Sequence, residues 1–366
     1  MRRNLSAYVA EFVGTALMLF IGVSAVAFMW GPESPVPVVP FPALRRLMTG
    51  VIFAAGATAV VYSPLGQISG GHINPAVTLA FWRMGKVPAR DAVIYVVAQF
   101  AGALVGTYAA GLAWGRLTTS VQYAATVPGE GYSAGGAFAA EILITFLLVF
   151  TIFVCVNKPR IAPRTGVIAG ALVALLVMIE APVSGTSLNP ARTLAPAMLA
   201  PTYTALWAYF AGPAIGALLA VAAYRGQWGS HTVCAKLYHT EKYACPFDTC
   251  NYRLAKAGEI VMRAGEPGTE AYLVERGTLD VRLNEAAPDA AFVARLGPGS
   301  WVGEISLILD EPRSATVVAA TDAQLRRFSK HDLGHILTDD PDRTLELVRQ
   351  LARRVKAVNE RLVGRM

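Results

Sequence analysis

Two textures divide the chain. Up to about Arg225, long apolar runs are broken by short polar loops, whereas from His231 onward charged residues recur every few positions and no apolar run is long enough to cross a bilayer. Six runs near the ~20 residues that a spanning helix needs cover roughly 5–30, 44–63, 89–114, 137–157, 166–182 and 203–224. Two further apolar stretches, 74–82 and 189–200, are too short to span alone and read as half-membrane, re-entrant segments. The opening Met1-Arg2-Arg3-Asn4 imitates the start of a signal peptide, but Leu5 to Trp30 is too long for a signal core and further spans follow, so it reads as the first helix.

The remainder alternates in short strands cut by glycine, at 258–261, 271–274, 277–283 and 315–319, with helical periodicity from about 330. The closing stretch from Arg343 to Arg365 places Leu345, Val348, Leu351, Val355, Val358 and Leu362 in a stripe between basic faces. The expected fold class is therefore multi-domain: an α-helical membrane channel of six spans plus two half-helices, then a β-roll with C-terminal helices. The boundaries fall at 1–228, a linker at 229–251, and 252–366.

Charge refines this division. Residues 1–230 hold 13 Lys and Arg against 6 Asp and Glu, while residues 231–366 hold 19 of each, so the whole net charge of +7 belongs to the apolar half. An excess placed in short loops beside spans speaks for a membrane flank and against a nucleic-acid partner. Arg2, Arg3, Arg83, Lys86, Arg90, Lys158, Arg160, Arg164 and Arg225 fall on one side, against Arg45, Arg46 and Arg116 on the other. The richer side is expected to be cytoplasmic, with both termini on it, in the cell (inner) membrane.

An internal repeat sets the topology. Ala10-Glu11-Phe12 and its following run echo Ala140-Glu141-Ile142, and Ser69-Gly70-Gly71-His72-Ile73-Asn74-Pro75-Ala76-Val77-Thr78 echoes Ser184-Gly185-Thr186-Ser187-Leu188-Asn189-Pro190-Ala191-Arg192-Thr193. Each repeat has three spans, so the second sits inverted. Asn-Pro-Ala is a helix start: Asn caps, Pro fits the first helical position where its missing N–H costs nothing, and Ala continues. Two inverted half-helices would meet N-terminus to N-terminus, turning two positive ends and two amide donors on a narrow lumen. Carbonyls of 70–72 and 186–188 would supply acceptors along it. Such a lumen suits neutral hydroxylated solutes and opposes cations, which argues against an ion channel, and no nucleophile–base pairing suggests an enzyme.

With Glu11, the two Asn-Pro-Ala segments, Glu141, Arg192 and Gly212-Pro213, residues 1 to about 228 resemble the aquaporin and glycerol-facilitator family. The resemblance implies a homotetramer with one pore per protomer. It implies that Glu11 and Glu141 hold the re-entrant loops, with His72 supporting the pore, and that an outer constriction sets selectivity. Counted from the two motifs, the constriction falls at Ala54, Val177, Thr186 and Arg192. Small residues at three of these depart from the water-channel pattern of an aromatic and a histidine, implying an opening wide enough for water and also glycerol, urea or metalloid acids such as boric and arsenious acid. Thr193, where glycerol facilitators carry aspartate, and Tyr209-Phe210 lean toward water channels, but neither is expected to line the lumen. Glu180, three positions after Val177, is a carboxylate either at the pore mouth or near the interface.

Residues from about 250 to 366 resemble cyclic nucleotide-binding domains, through Gly303-Glu304-Ile305-Ser306 and the downstream Pro312-Arg313-Ser314-Ala315. A cyclic phosphate needs a fixed cation, for which Arg313 stands, and a ribose hydroxyl needs an acceptor, for which Glu304 stands. Gly303 permits close backbone approach, the turn from Ser306 can present N–H groups, and Ser314 can bond phosphate or base. The ligand would be cAMP or cGMP, and the last helix would cap it or serve as a dimerising helix. In the linker, Cys234, Cys245 and Cys250 with His239 or His231 have the donor types of a tetrahedral zinc site but no standard spacing, so reduced structural thiols stand beside zinc. Two functional readings follow. Either cyclic nucleotide regulates the pore, or the pore is constitutive and the tail senses a ligand or partner.

Overall fold

The structure is a computed structural model that describes residues 4–36, 39–158, 160–228, 234–239, 243, 245–247, 252–283, 291–339 and 341–363. The chain forms two compact units, Met1–Thr249 and Cys250–Met366.

In the first unit the helices are α1 (Leu5–Trp30), α2 (Pro42–Tyr62), α3 (Pro64–Ser69), α4 (Pro75–Arg83), α5 (Ala89–Trp114), α6 (Arg116–Ser120), α7 (Ala134–Val156), α8 (Thr165–Ser184), α9 (Pro190–Leu199) and α10 (Ala208–Trp228). Among the described residues six are long and apolar enough to cross a membrane, namely α1, α2, α5, α7, α8 and α10. The half-helices are α4 and α9. Each begins where the cap chemistry requires: Asn74 and Asn189 sit at the N-caps with extended backbone and proline follows at the first position. Glycine in the left-handed region ends the helix before each loop, Gly70 at φ +105° after α3 and Gly185 at φ +81° after α8.

The two repeats pack by the same device. A Cβ on Gly102 or Gly106 of α5 would come within 2.2 Å of the Phe12 carbonyl and 2.1 Å of the Ala16 carbonyl of α1. In the second repeat a Cβ on Gly216 of α10 would meet the Ile142 carbonyl of α7 at 2.3 Å. Glycine thus lets paired helices approach backbone to backbone, which compensates for the missing hydrophobic drive between helices in lipid. Val93, Val97, Leu112, Val167 and Ile179 face outward and exposed, as a bilayer requires.

The second unit comprises β1 (Tyr252–Ala255), β2 (Ile260–Met262), β3 (Glu270–Arg276), β4 (Leu279–Leu283), β5 (Ala291–Leu296), β6 (Trp301–Val302), α11 (Glu304–Leu309), β7 (Thr316–Ala319), β8 (Ala323–Ser329), α12 (Lys330–Asp339) and α13 (Pro341–Val363). The strands form two four-stranded antiparallel sheets, ordered β1-β8-β3-β6 and β2-β7-β4-β5. Val274, Leu279 and Leu325 are fully buried in its core. The stripe expected on the last helix is offset in phase. Leu345, Val348 and Val355 are exposed, while Leu347 is buried and Leu351 packs beside it, against a cluster that includes Leu333 and Ile336 of α12. Leucine and valine at both i and i+2 satisfy two helical phases at once, and only the β-roll's shape chooses between them.

Candidate functional site

The two asparagines are brought together and tied to each other's loops. Asn74 Nδ2 donates to the Leu188 carbonyl at 3.0 Å, and Asn189 Nδ2 donates to the Ile73 carbonyl at 3.0 Å. Their Oδ1 atoms accept from Ala76 N at 2.8 Å and Ala191 N at 3.0 Å, the caps of α4 and α9. Pro75, Ala76, Pro190 and Ala191 are buried behind them as the first turns of those helices.

Two carboxylates hold this geometry. Glu11 accepts from His72 N at 3.0 Å, Ile73 N at 2.7 Å and Gln99 Nε2 at 2.7 Å. Glu141 accepts from Ser184 Oγ at 2.6 Å, Ser187 N at 2.8 Å and Leu188 N at 2.8 Å. Ile73 and Leu188 have φ of +43° and +60°, a region that costs non-glycine residues about 1–3 kcal/mol each. The glutamates offset this by satisfying N–H groups that the left-handed turns point away from any helix or strand. Gln99 was not singled out in the sequence, because a neutral amide in an apolar span carries no pattern.

Along the lumen, one cavity of about 100 Å³ is lined by His72, Asn74, Asn189 and Ala54 among others, and a wider one of about 410 Å³ by Val177, Thr186 and Trp30. Phe53 and Arg192 line both. Arg192 Cζ lies 5.5 Å from the centre of the Phe53 ring, and Arg192 Nη1 donates to the Ala124 carbonyl at 2.6 Å. The side chain facing Arg192 is therefore Phe53 rather than Ala54, which lies inward of it. Ala54 lines the inner cavity, and Phe53 lines both. Glu180 is buried, and its Oε2 accepts from Thr186 Oγ1 at 2.7 Å. Its carboxylate therefore sits beside Thr186, which lines the wider cavity.

At the opposite end His72 Nε2 lies 2.9 Å from the Ala235 carbonyl and Nδ1 lies 3.2 Å from Thr78 Oγ1, with the ring stacked on Phe81 at 4.7 Å. The described part of the expected linker thus packs on the first unit.

In the second unit Arg313 and Gly303 meet: Nη1 donates to the Gly303 carbonyl at 2.9 Å, and Nη2 donates to the Glu270 carbonyl. Burial lowers the Arg313 pKa from its ordinary value. Arg313 lines a cavity of about 360 Å³ with Arg253, Arg263, Glu266, Glu270 and Tyr272. Burial, then the hydrogen bond to Glu270, pushes the Tyr272 phenol up to about 12. Glu304 is 1% exposed, and its Oε1 pairs with Arg354 Nη1 of α13 at 2.5 Å. Among the described residues its Oε2 is a buried oxygen with no hydrogen-bond partner, which is what a ribose hydroxyl would satisfy. A Cβ at Gly303, φ +78°, would lie 2.6 Å from Arg313 Nη1, so only glycine fits beside the guanidinium. Ser306 is buried, Ile305 and Ser314 are exposed and Ala315 is intermediate. Arg354 lies among the basic residues that flank the expected stripe. It shares a side of α13 with Leu347 and Leu351, which sequence phase did not reveal.

The zinc expectation finds no cluster: among the described residues no three His, Cys, Asp or Glu side chains converge on a metal site. Cys234 Sγ and His239 Nδ1 lie 3.7 Å apart, Cys245 is half-buried, and His231 and Cys250 lie outside the described residues.

Residues 2–224 match the family described as Major intrinsic protein, and residues 252–340 match the Cyclic nucleotide-binding domain. Aquaporin NIP1-4 of Oryza sativa subsp. japonica is 37% identical over 216 residues, 59% of this chain and 74% of that protein. Aquaporin AqpM of Methanothermobacter marburgensis is 37% identical over 238 residues, 59% of this chain and 95% of that protein. Among solved structures, the aquaglyceroporin from Plasmodium falciparum is similar in fold, with TM-score 0.52 and 21% identity over 60% of this chain and 95% of its own.

Proposed function

This chain belongs to the major intrinsic protein family, as a multi-pass aquaporin-type channel for water and small solutes with a cyclic nucleotide-binding domain behind it, and from that premise we propose that its pore passes water together with glycerol, urea or metalloid acids under the control of cAMP or cGMP. The observation that carries the solute reading is the amphipathic constriction: Phe53 and Val177 offer a carbon-facing wall, Arg192 and Thr186 a hydrogen-bonding one. A polyol or a small neutral acid presents the complementary two faces, while the guanidinium and the paired half-helix ends oppose cations.

The nucleotide reading rests on Glu304, whose buried Oε2 suits the ribose hydroxyl, and on Arg313 for the cyclic phosphate. Neither group is arranged for bond-making chemistry, so the ligand would act by binding alone. The assembly proposed is a homotetramer in the cell membrane with both termini cytoplasmic, which places the nucleotide domain in the compartment where cyclic nucleotides are made.

Stopped-flow swelling of proteoliposomes tests this, with osmotic gradients of water, glycerol, urea and boric acid and with cAMP or cGMP on both sides. Swelling with at least one solute, altered by one nucleotide, is expected. Swelling indifferent to both nucleotides would leave the tail a sensor without control of the pore.

A further inference from the structure

We propose that the described residues 234–239, 243 and 245–247 form a plug that closes the pore mouth at His72, and that the nucleotide-binding domain acts on the pore by withdrawing it; this rests on the channel and nucleotide readings above. The chain returns from the end of α10 into this mouth. Leu237 N donates to the Gly70 carbonyl at 3.0 Å, the Ala235 carbonyl accepts from His72 Nε2 at 2.9 Å, and the Leu237 side chain lines the lumen beside Val61, Gly71 and His72.

Two of the polar groups a solute would use at this mouth, the Gly70 carbonyl and the His72 ring, are thus taken by the protein itself. An aliphatic side chain stands in the path instead. Because Ala235 offers only a carbonyl, His72 carries its proton on Nε2, and Nδ1 accepts from Thr78, whose oxygen accepts from Gln99 Nε2 at 2.9 Å. Gln99 also donates to Glu11. One run of hydrogen bonds therefore joins the carboxylate that holds the Asn74 loop to the backbone of the plug.

The seat is specific rather than incidental. Lys236, 1% exposed, donates from Nζ to the Gln67 carbonyl at 2.6 Å and the Tyr243 carbonyl at 2.9 Å. Tyr238 packs edge-on against Tyr62 with centroids 4.7 Å apart, and Phe247 against Tyr95 at 5.3 Å. Gly70 is held to glycine both by its φ of +105° and by the plug, since a Cβ there would lie 2.7 Å from the Ala235 carbonyl. Among the described residues the seat is made by hydrogen bonds and packing, with Cys234 and Cys245 as free thiols. Residues 248–251 separate Phe247 from Tyr252 of β1, a tether of roughly 17 Å at full extension. A displacement of β1 beyond that reach must draw on the plug.

Two readouts on the full-length chain test this. The first is labelling of the Cys234 thiol, 5% exposed, by a water-soluble maleimide and followed by peptide mass spectrometry. The second is proteoliposome swelling. Slow labelling and slow swelling are expected without nucleotide, both faster on the order of tenfold with cAMP or cGMP, and fast without nucleotide in the Lys236→Ala, Leu237→Ala double variant. Rapid Cys234 labelling in the nucleotide-free wild type overturns the plug irrespective of conduction. A double variant whose Cys234 reacts rapidly but which swells no faster than a conducting wild type overturns it while leaving the channel standing. If neither protein passes water or any solute although Cys234 reacts, the transport reading falls with it. Labelling that neither nucleotide changes overturns the withdrawal.

Discussion

The Arg192 guanidinium lies over the Phe53 ring, 5.5 Å from ring centre to Cζ. This aromatic wall beside a fixed cation stands where the wider vestibule meets the inner cavity, since both side chains line the two.

Removing that wall should change selectivity more than folding. Phe53→Ala is expected to raise glycerol permeability relative to water about tenfold, the low end of what one apolar contact discriminates. Paired swelling rates in water and glycerol gradients give the ratio, and an unchanged ratio would place the selective point elsewhere.

Glu11 and Glu141 should matter equally to stability, being equivalent under the inverted repeat. Glu11→Ala leaves His72 N and Ile73 N buried without an acceptor, at roughly 1–3 kcal/mol for each unsatisfied group. Thermal unfolding in detergent should show comparable losses for Glu11→Ala and Glu141→Ala, with glutamine at either site intermediate.

Gly106→Ala inserts a methyl where the Ala16 carbonyl lies 2.1 Å away. The α1–α5 pair must separate, and overpacking of this kind costs about 1–3 kcal/mol. A reduced yield of folded protein and a lower melting temperature are expected, and Gly216→Ala should reproduce them in the second repeat.

On the proposed nucleotide reading, Glu304 and Arg313 hold the ligand. Losing a hydrogen bond to a charged group costs about 1.5–3 kcal/mol, so Glu304→Ala should weaken cAMP or cGMP binding at least about tenfold by calorimetry. Arg313→Ala should do so too and also release the Gly303 and Glu270 carbonyls. Binding unaffected by either change would remove the nucleotide pocket from this position.

A pH dependence follows from Asp280, held below its ordinary pKa chiefly by the hydrogen bond from Arg295. A carboxylate lowered by folding stabilises the protein above its unfolded pKa and loses that contribution as pH falls through its lower folded value. The wild type should therefore melt above Asp280→Asn near neutrality, with the gap closing below about pH 4. A gap constant with pH would mean that the ion pair contributes nothing.

Much of the channel was legible in order along the chain. Spans are announced by apolar length, half-helices by Asn-Pro-Ala, and inversion by an odd number of spans per repeat, because each depends on neighbours within a few residues. Glu11 and Glu141 stand out as carboxylates inside apolar spans that cannot face lipid, while their hold on the re-entrant loops is what the family resemblance implies. Of the β-roll, the glycine-cut alternating strands were visible, whereas β6, two residues long, and β8, with Arg326 and Arg327 inside it, hid their pairing.

Residue order alone, then, settles that this protein is a six-span inverted repeat with two capped half-helices and a β-roll after it, since helix caps and hydrophobic periods are local quantities. Only the folded molecule decides that Phe53 rather than Ala54 faces Arg192, that Arg354 pairs with Glu304, and that Leu237 bonds the Gly70 carbonyl and lines the inner cavity. Those contacts join positions separated by 50 to 167 residues. Distance along the chain carries no information about such meetings; packing does.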